Sequence, residues 1–142
     1  MSDRYFLDTN FLVYLFDARY PLKRATAGTI FRPLLKARSA CLSTQVLSEF
    51  YVTVMQKLPT PLDRERATRI LYRLHDFQIV PISSALVMEA VAIATRHQIS
   101  YWDALIVAAA KEAGASVVLT EDLNHGQLIA GLRIHNPFKE SL

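Results

Sequence analysis

Arg4-Tyr5-Phe6-Leu7-Asp8-Thr9-Asn10-Phe11-Leu12-Val13 is the stretch on which the reading of the fold turns. An apolar run of strand type ends in Asp8-Thr9-Asn10, and an apolar run of helical type starts at once. Asp, Thr and Asn are each good helix N-caps, but a helix has one N-cap position. Three such side chains crowded where a strand hands over to a helix point to a site.

The same handover recurs along the chain. Tyr5 to Leu7 reads as the first strand and Phe11 to Phe16 as a short helix. Pro21 opens a longer helix to about Arg38, with Ala25, Ile30, Leu34 and Leu35 inward and Lys23, Arg24, Arg32 and Lys36 outward. Gly28 weakens its middle and marks a place where it can break. Ala40-Cys41-Leu42 is a second strand, followed from Ser43-Thr44 by a helix through Lys57. Beyond Pro59-Thr60-Pro61, Thr60 and Asp63 stand at capping-box spacing before a helix striped by Ala67, Ile70, Leu71 and Leu74. Gln78 to Pro81 is a third strand. Ser83 caps a helix to about Arg96 carrying Leu86, Val87, Ala90, Val91 and Ala94. Ser100 caps Tyr101 to Ala113, which Gly114 stops. Val117-Val118-Leu119 and Leu132-Arg133-Ile134 complete the set. Short apolar strands alternating with helices predict one α/β domain over residues 1–142. Its architecture is three-layer α/β/α, with a central parallel sheet of four to five short strands.

Composition sets further bounds. Of 142 residues, 51% are hydrophobic, enough for a real core. No apolar run approaches the length of a membrane span. Met1-Ser2-Asp3-Arg4 lacks the layout of a secretion signal. The lone cysteine, Cys41, can form no internal disulfide, so a reducing cytoplasm is the expected setting. Net charge is +3, with a sequence pI near 9.2, a mild lean toward polyanionic partners.

In open parallel sheets, ligands bind beyond the carboxyl ends of the strands. Asp8 follows strand one, Glu49 lies on the helix after strand two, and Asp122 follows strand four. Asp103 sits in the first turn of the helix that leads into strand four. All four can face one edge of the sheet. Each also has an ordinary reading: Asp8 as a plain cap, Glu49 as an exposed residue on the polar side of its helix, Asp103 as a capping-box acid after Ser100, Asp122 as part of a turn. Against the ordinary reading of Asp103, its helix continues Ala104 to Ala110 with apolar residues on nearly every side, so an acid at its head needs a cation or donors. With the four acids set aside, 16 basic residues face 9 acidic ones, or +7 elsewhere.

Carboxylates brought close together repel, and some take up protons. A divalent cation removes that conflict. Oxygen-only ligands favour Mg²⁺ or Mn²⁺ over zinc, and Mg²⁺ is usually shared with substrate phosphates. Such a metal lowers the pKa of an attacking water and stabilises the leaving oxygen. The expected chemistry is hydrolysis of a phosphodiester.

These residues carry a resemblance. Phe6-Leu7-Asp8-Thr9-Asn10, Ser48-Glu49-Phe50, Tyr101-Trp102-Asp103-Ala104-Leu105-Ile106 and Leu119-Thr120-Glu121-Asp122-Leu123-Asn124-His125-Gly126 resemble the motifs of PIN domains. Among these, the VapC-type toxins of prokaryotic toxin–antitoxin pairs are most similar. Ile134-His135-Asn136-Pro137-Phe138 resembles the family's C-terminal end. The resemblance implies a metal-dependent endoribonuclease whose acidic set is Asp8, Glu49, Asp103 and Asp122. It implies Asn10 and Thr120 as polar supports that orient carboxylates or water, and Glu121 as an exposed neighbour. It leaves Asn124 where some members carry another acid, which bears on a second metal. It further implies a homodimer and a small antitoxin whose tail enters the groove.

Arg66, Arg69 and Arg73 share a helix face and read either as solvated charge or as a phosphate-tracking surface for RNA. His75, His97, His125 and His135 lack metal-ligand spacing. Tyr101 and Trp102 can stack on a base, with core or dimer packing as the other role for Trp102. Thr9 is left as a plain cap. Two further functions are weighed against the nuclease: a PIN-like RNA- or protein-binding module without turnover, and an aspartate-nucleophile phosphatase. The phosphatase is disfavoured because Asn10 stands where a second acid is needed.

Overall fold

A computed structural model describes residues 3–142. Met1 and Ser2, half of the stretch read for a secretion signal, lie outside the described residues. The chain order is β1 (Tyr5–Leu7), α1 (Thr9–Tyr14), α2 (Pro21–Ala37), β2 (Ala40–Ser43), α3 (Thr44–Val52), a π-helical turn (Thr53–Lys57) and α4 (Arg64–Leu74). It continues with β3 (Gln78–Val80), α5 (Ser84–His97), α6 (Tyr101–Glu112), β4 (Val117–Leu119), β5 (Leu128–Ile129) and β6 (Leu132–His135).

The sheet order is β3-β2-β1-β4-β6-β5, parallel throughout except for the β5–β6 pair. From β1 the chain steps outward through β2 to β3, then returns to place β4 on the other side of β1. Right-handed crossovers therefore put α1 to α4 on one face and α5 and α6 on the other. Contacts agree: α1 meets α2 and α3, α3 meets α4, and α6 packs on β2, β4 and β6 beneath α5. The reversal at β1 and β4 is a topological switch point, where such sheets open a crevice beyond their strand ends.

The five strands read from the sequence form where expected. A sixth, β5, has two residues, too few to show a period. It pairs with β6 through Ala130 and Gly131, whose φ values of 51° and 84° suit the tight turns that join adjacent strands. All of Ala104 to Ala110 is buried, as the apolar run of α6 predicts. Cys41 is buried in β2, and burial pushes its thiol up to about 11.

Several local readings shift. α2 runs unbroken through Gly28 and Pro33. Its buried stripe is Ala27 and Leu34 with Ile30 and Phe31 beside them, while Ala25 and Leu35 are exposed, a rotation of the helix by about one residue. α5 likewise buries Ile93 and exposes Val91. The helix read through Lys57 stops being α-helical at Val52. α4 is capped by Asp63, which accepts from the Arg66 amide at 2.8 Å, not by Thr60, because Leu62 N–H is tied to the Val54 carbonyl at 2.9 Å. Trp102 is 63% exposed and so is no core residue.

Candidate active site

Register decides the centre of the site. Leu7 pairs with Leu119 at the ends of β1 and β4, and the Asp8 amide donates to the Leu119 carbonyl at 3.1 Å. Asp8 and Thr120 thus leave the sheet side by side. Asp8 is the N-cap of α1: its Oδ1 accepts from the Thr9 amide at 2.7 Å. Its Oδ2 accepts from the Thr120 hydroxyl at 2.7 Å, and the Thr120 Oγ1 in turn accepts from the Asp122 amide at 3.0 Å. Asn10 Nδ2 donates to Asp122 Oδ2 at 2.8 Å. One hydrogen-bonded chain therefore links the two strand ends through Asp8, Thr120, Asp122 and Asn10.

The other two acids arrive on helices. Glu49 is exposed on α3, as its helical position predicts, but the Thr9 hydroxyl donates to its Oε1 at 2.8 Å and draws it toward Asp8. Thr9 is thus the first residue of α1 and a partner of Glu49; the capping position belongs to Asp8. Asp103 sits in the first turn of α6, where Ser100 Oγ accepts its amide at 3.1 Å. Asp8, Asn10, Glu49, Asp103 and Asp122 all line one groove of about 590 Å³.

Electrostatics sets these acids apart. Burial pushes the Asp8 carboxyl up to about 7, against the hydrogen bonds from Thr120 and Thr9, with the charges of Asp122 and Glu49 adding to the rise. Asp122 is raised too, by burial first and then by Asp103 and Glu121. Glu121 does not line the groove and is half-buried rather than exposed: its carboxylate pairs with Lys23 at 2.9 Å and accepts a hydrogen bond from the Tyr14 hydroxyl.

A measurable consequence follows for the metal-free protein. The folded chain holds the Asp8 proton up to about pH 7, whereas the ordinary carboxyl value is 3.8. The associated stability is complete below that ordinary value and is lost as pH rises through about 7. In a chelator, Asp8→Asn should therefore gain on the parent as pH rises from about 5 to about 8.5, by no more than about 3 kcal/mol in urea denaturation. An unchanged difference across that range would show that Asp8 titrates normally.

The donor set is all oxygen and acidic, which suits a hard divalent cation. Among the described residues, no three His, Cys, Asp or Glu side chains converge closely enough to cage one ion. A cation that keeps several waters and takes one or two carboxylates fits this arrangement. The buried Asn10 Oδ1, which lacks a hydrogen-bond partner, is a neutral oxygen beside the same carboxylates. Asp8, Glu49, Asp103 and Asp122 are the groove acids from which such an ion would draw its one or two.

The arginines of α4 lie elsewhere. Arg69 pairs with Glu65 at 3.1 Å, Arg66 lies over Phe16, and Arg73 borders an apolar pocket with Leu12, Phe31 and Ile70; none lines the groove. Sequence reading missed Asp17, Arg19, Tyr20 and Lys57 on the groove wall. The Asp17 and Arg19 pair was its one local signal, an acid and a base two residues apart between two helices.

Solved structures resemble this fold. A toxin–antitoxin complex from Klebsiella pneumoniae superposes with a TM-score of 0.68 at 22% identity, covering 93% of this chain and 96% of that one. DNA-bound VapBC from Salmonella typhimurium gives 0.64 at 19% identity over 94% and 98%. VapC20 of Mycobacterium tuberculosis, a toxin that cleaves the sarcin–ricin loop, gives 0.59 at 20% identity over 83% and 89%. No curated protein matches the chain by sequence. The PIN domain model matches residues 5–128, from β1 past the strand ends that carry Asp8 and Asp122, and the chain therefore belongs to the PIN domain family.

Proposed function

We propose that this protein is a divalent-metal-dependent endoribonuclease, the toxin of a toxin–antitoxin pair acting in the cytoplasm. The observation that carries the reading is that Asp8, Glu49, Asp103 and Asp122 line one groove at the switch point of the sheet. Family membership and the toxin–antitoxin neighbours support it. A bound Mg²⁺ or Mn²⁺ would acidify an attacking water and neutralise charge on the phosphate and leaving oxygens.

The chain's own residues do the holding. Asp8 is fixed on both oxygens, by the Thr9 amide and the Thr120 hydroxyl, so its direction is set before any ligand arrives. Asn10 keeps Asp122 turned toward the groove. Thr9 holds Glu49 in reach. Such preorganisation spares reorganisation when charge develops on the phosphate. A groove of about 590 Å³ lined by these acids supports a single strand or a loop of RNA as the substrate. The partners of this reading are a second copy of the chain and a small antitoxin, the latter supported by the VapBC neighbours.

The test is cleavage of single-stranded and looped RNA by the pure protein. Cutting is expected with Mg²⁺ or Mn²⁺ and none in a chelator. Calorimetric titration with Mn²⁺ separates this from a binding module without turnover, since a docking pocket for basic side chains need take up no cation. Cleavage that persists undiminished in chelator would sink the metal-dependent reading.

A further inference from the structure

The groove carries basic and aromatic side chains as well as acids. Its wall includes Arg19, Tyr20 and Lys57, brought from the α1–α2 turn and from the π-turn after α3. Arg19 is fixed in place. Asp17, almost wholly buried, accepts from Arg19 Nε at 3.0 Å, from Nη2 at 2.8 Å and from the Arg19 amide at 3.1 Å. A guanidinium has five N–H donors, so two spent on Asp17 leave three for another acceptor. Its carbon lies 5.4 Å from the centre of the Tyr20 ring. Tyr20 is itself held edge-on by Tyr14 at 5.6 Å and remains 42% exposed.

Lys57 is the second cation on this wall. A π-turn takes more residues per revolution than an α-helix, so Lys57 returns to the face of Glu49 and Thr53, which line the same groove. A fixed planar cation stacked over a part-exposed aromatic ring, with a second cation lining the same groove, is a combination that suits unpaired nucleotides: base on the flat surface, phosphate on the charges.

We propose that Arg19, Tyr20 and Lys57 form a nucleotide subsite that grips RNA beside the scissile position, packing one base on the Arg19–Tyr20 platform and contacting a flanking phosphate through Arg19 and Lys57. The proposal rests on the nuclease reading and assigns that groove its substrate-positioning residues. It gives Asp17 a role as well: its buried carboxylate aims the guanidinium.

The experiment is fluorescence anisotropy of labelled single-stranded decaribonucleotides (U, A and C homopolymers) in chelator, with cleavage of structured RNA in Mg²⁺ measured in parallel. Tyr20→Ala should weaken binding roughly tenfold or more, and Tyr20→Phe should stay near the parent because the ring face survives. Lys57→Gln should weaken binding and flatten the salt dependence by about 0.7 in log–log slope, the amount one phosphate contact on a single strand contributes. Lys57 is an exposed residue, so this variant remains informative if Tyr20→Ala folds poorly. If Tyr20→Ala and Lys57→Gln bind and cut like a parent that itself binds and cuts, the subsite is wrong and the nuclease stands. If the parent binds no RNA and cuts none, both are wrong.

Discussion

Asp8→Asn should cut RNA at least roughly a hundredfold to a thousandfold more slowly than the parent, the loss expected when one preorganised charge is removed from a reacting centre. The variant keeps the fold. Asn is as good an N-cap as Asp, so the Thr9 amide keeps its acceptor and α1 its start. What disappears is the negative charge that would hold a cation between β1 and β4. Asp103→Asn should behave alike, since the Ser100 cap that starts α6 does not use the Asp103 carboxylate. Single-turnover cleavage of an end-labelled RNA at saturating Mg²⁺ reads both. Variants that match the parent's rate would move the chemistry out of this groove.

The second large effect is on stability and comes from the residue beside Glu49. Phe50→Ala should cost about 3 to 5 kcal/mol in urea denaturation. Phe50 is wholly buried and stacks edge-on against Phe16 at 5.8 Å, which joins α3 to the end of α1. Truncation leaves a cavity that neighbours on α1 and α4 cannot close without moving the strand-end geometry. Against a typical total of roughly 5 to 15 kcal/mol, the variant sits near the edge of folding. Glu49→Gln, one residue earlier on the exposed side of α3, should change stability by less than about 0.5 kcal/mol while slowing cleavage. Equal stability losses for the two would mean that α3 is rotated from the orientation described.

The strands and caps were legible because they rest on local chemistry. Ser83 and Ser100 cap the helices assigned to them, and β1, β2, β3 and β4 lie in the apolar runs that suggested them. Asp8 and Asp122 were legible as acids past strand ends because those runs mark where β1 and β4 stop, while the sheet order that sets them side by side was not. Glu49 was not. Its helix position says only that it is exposed, and its turn toward Asp8 depends on the Thr9 hydroxyl, forty residues away in sequence. Asp103 was legible as a cap neighbour, and its place in the groove depends on α6 crossing to β4. The basic and aromatic wall of the groove stayed hidden for the same kind of reason. Lys57 reaches it through a π-turn, and Tyr20 through a helix start with no side-chain cap, and neither has a pattern of its own. The phases of α2 and α5 slipped because a three- or four-residue spacing allows two adjacent faces.

The placement of β4 between β1 and β6 has a consequence for synthesis. The chain makes Asp8 first, yet the partner that fixes its second oxygen, Thr120, comes 112 residues later. Until β4 emerges and inserts beside β1, the nascent polypeptide holds its acids on separate, unpaired segments. The acidic groove is complete only once β4 has joined β1, so a ribosome making this protein carries no assembled groove before β4 is out.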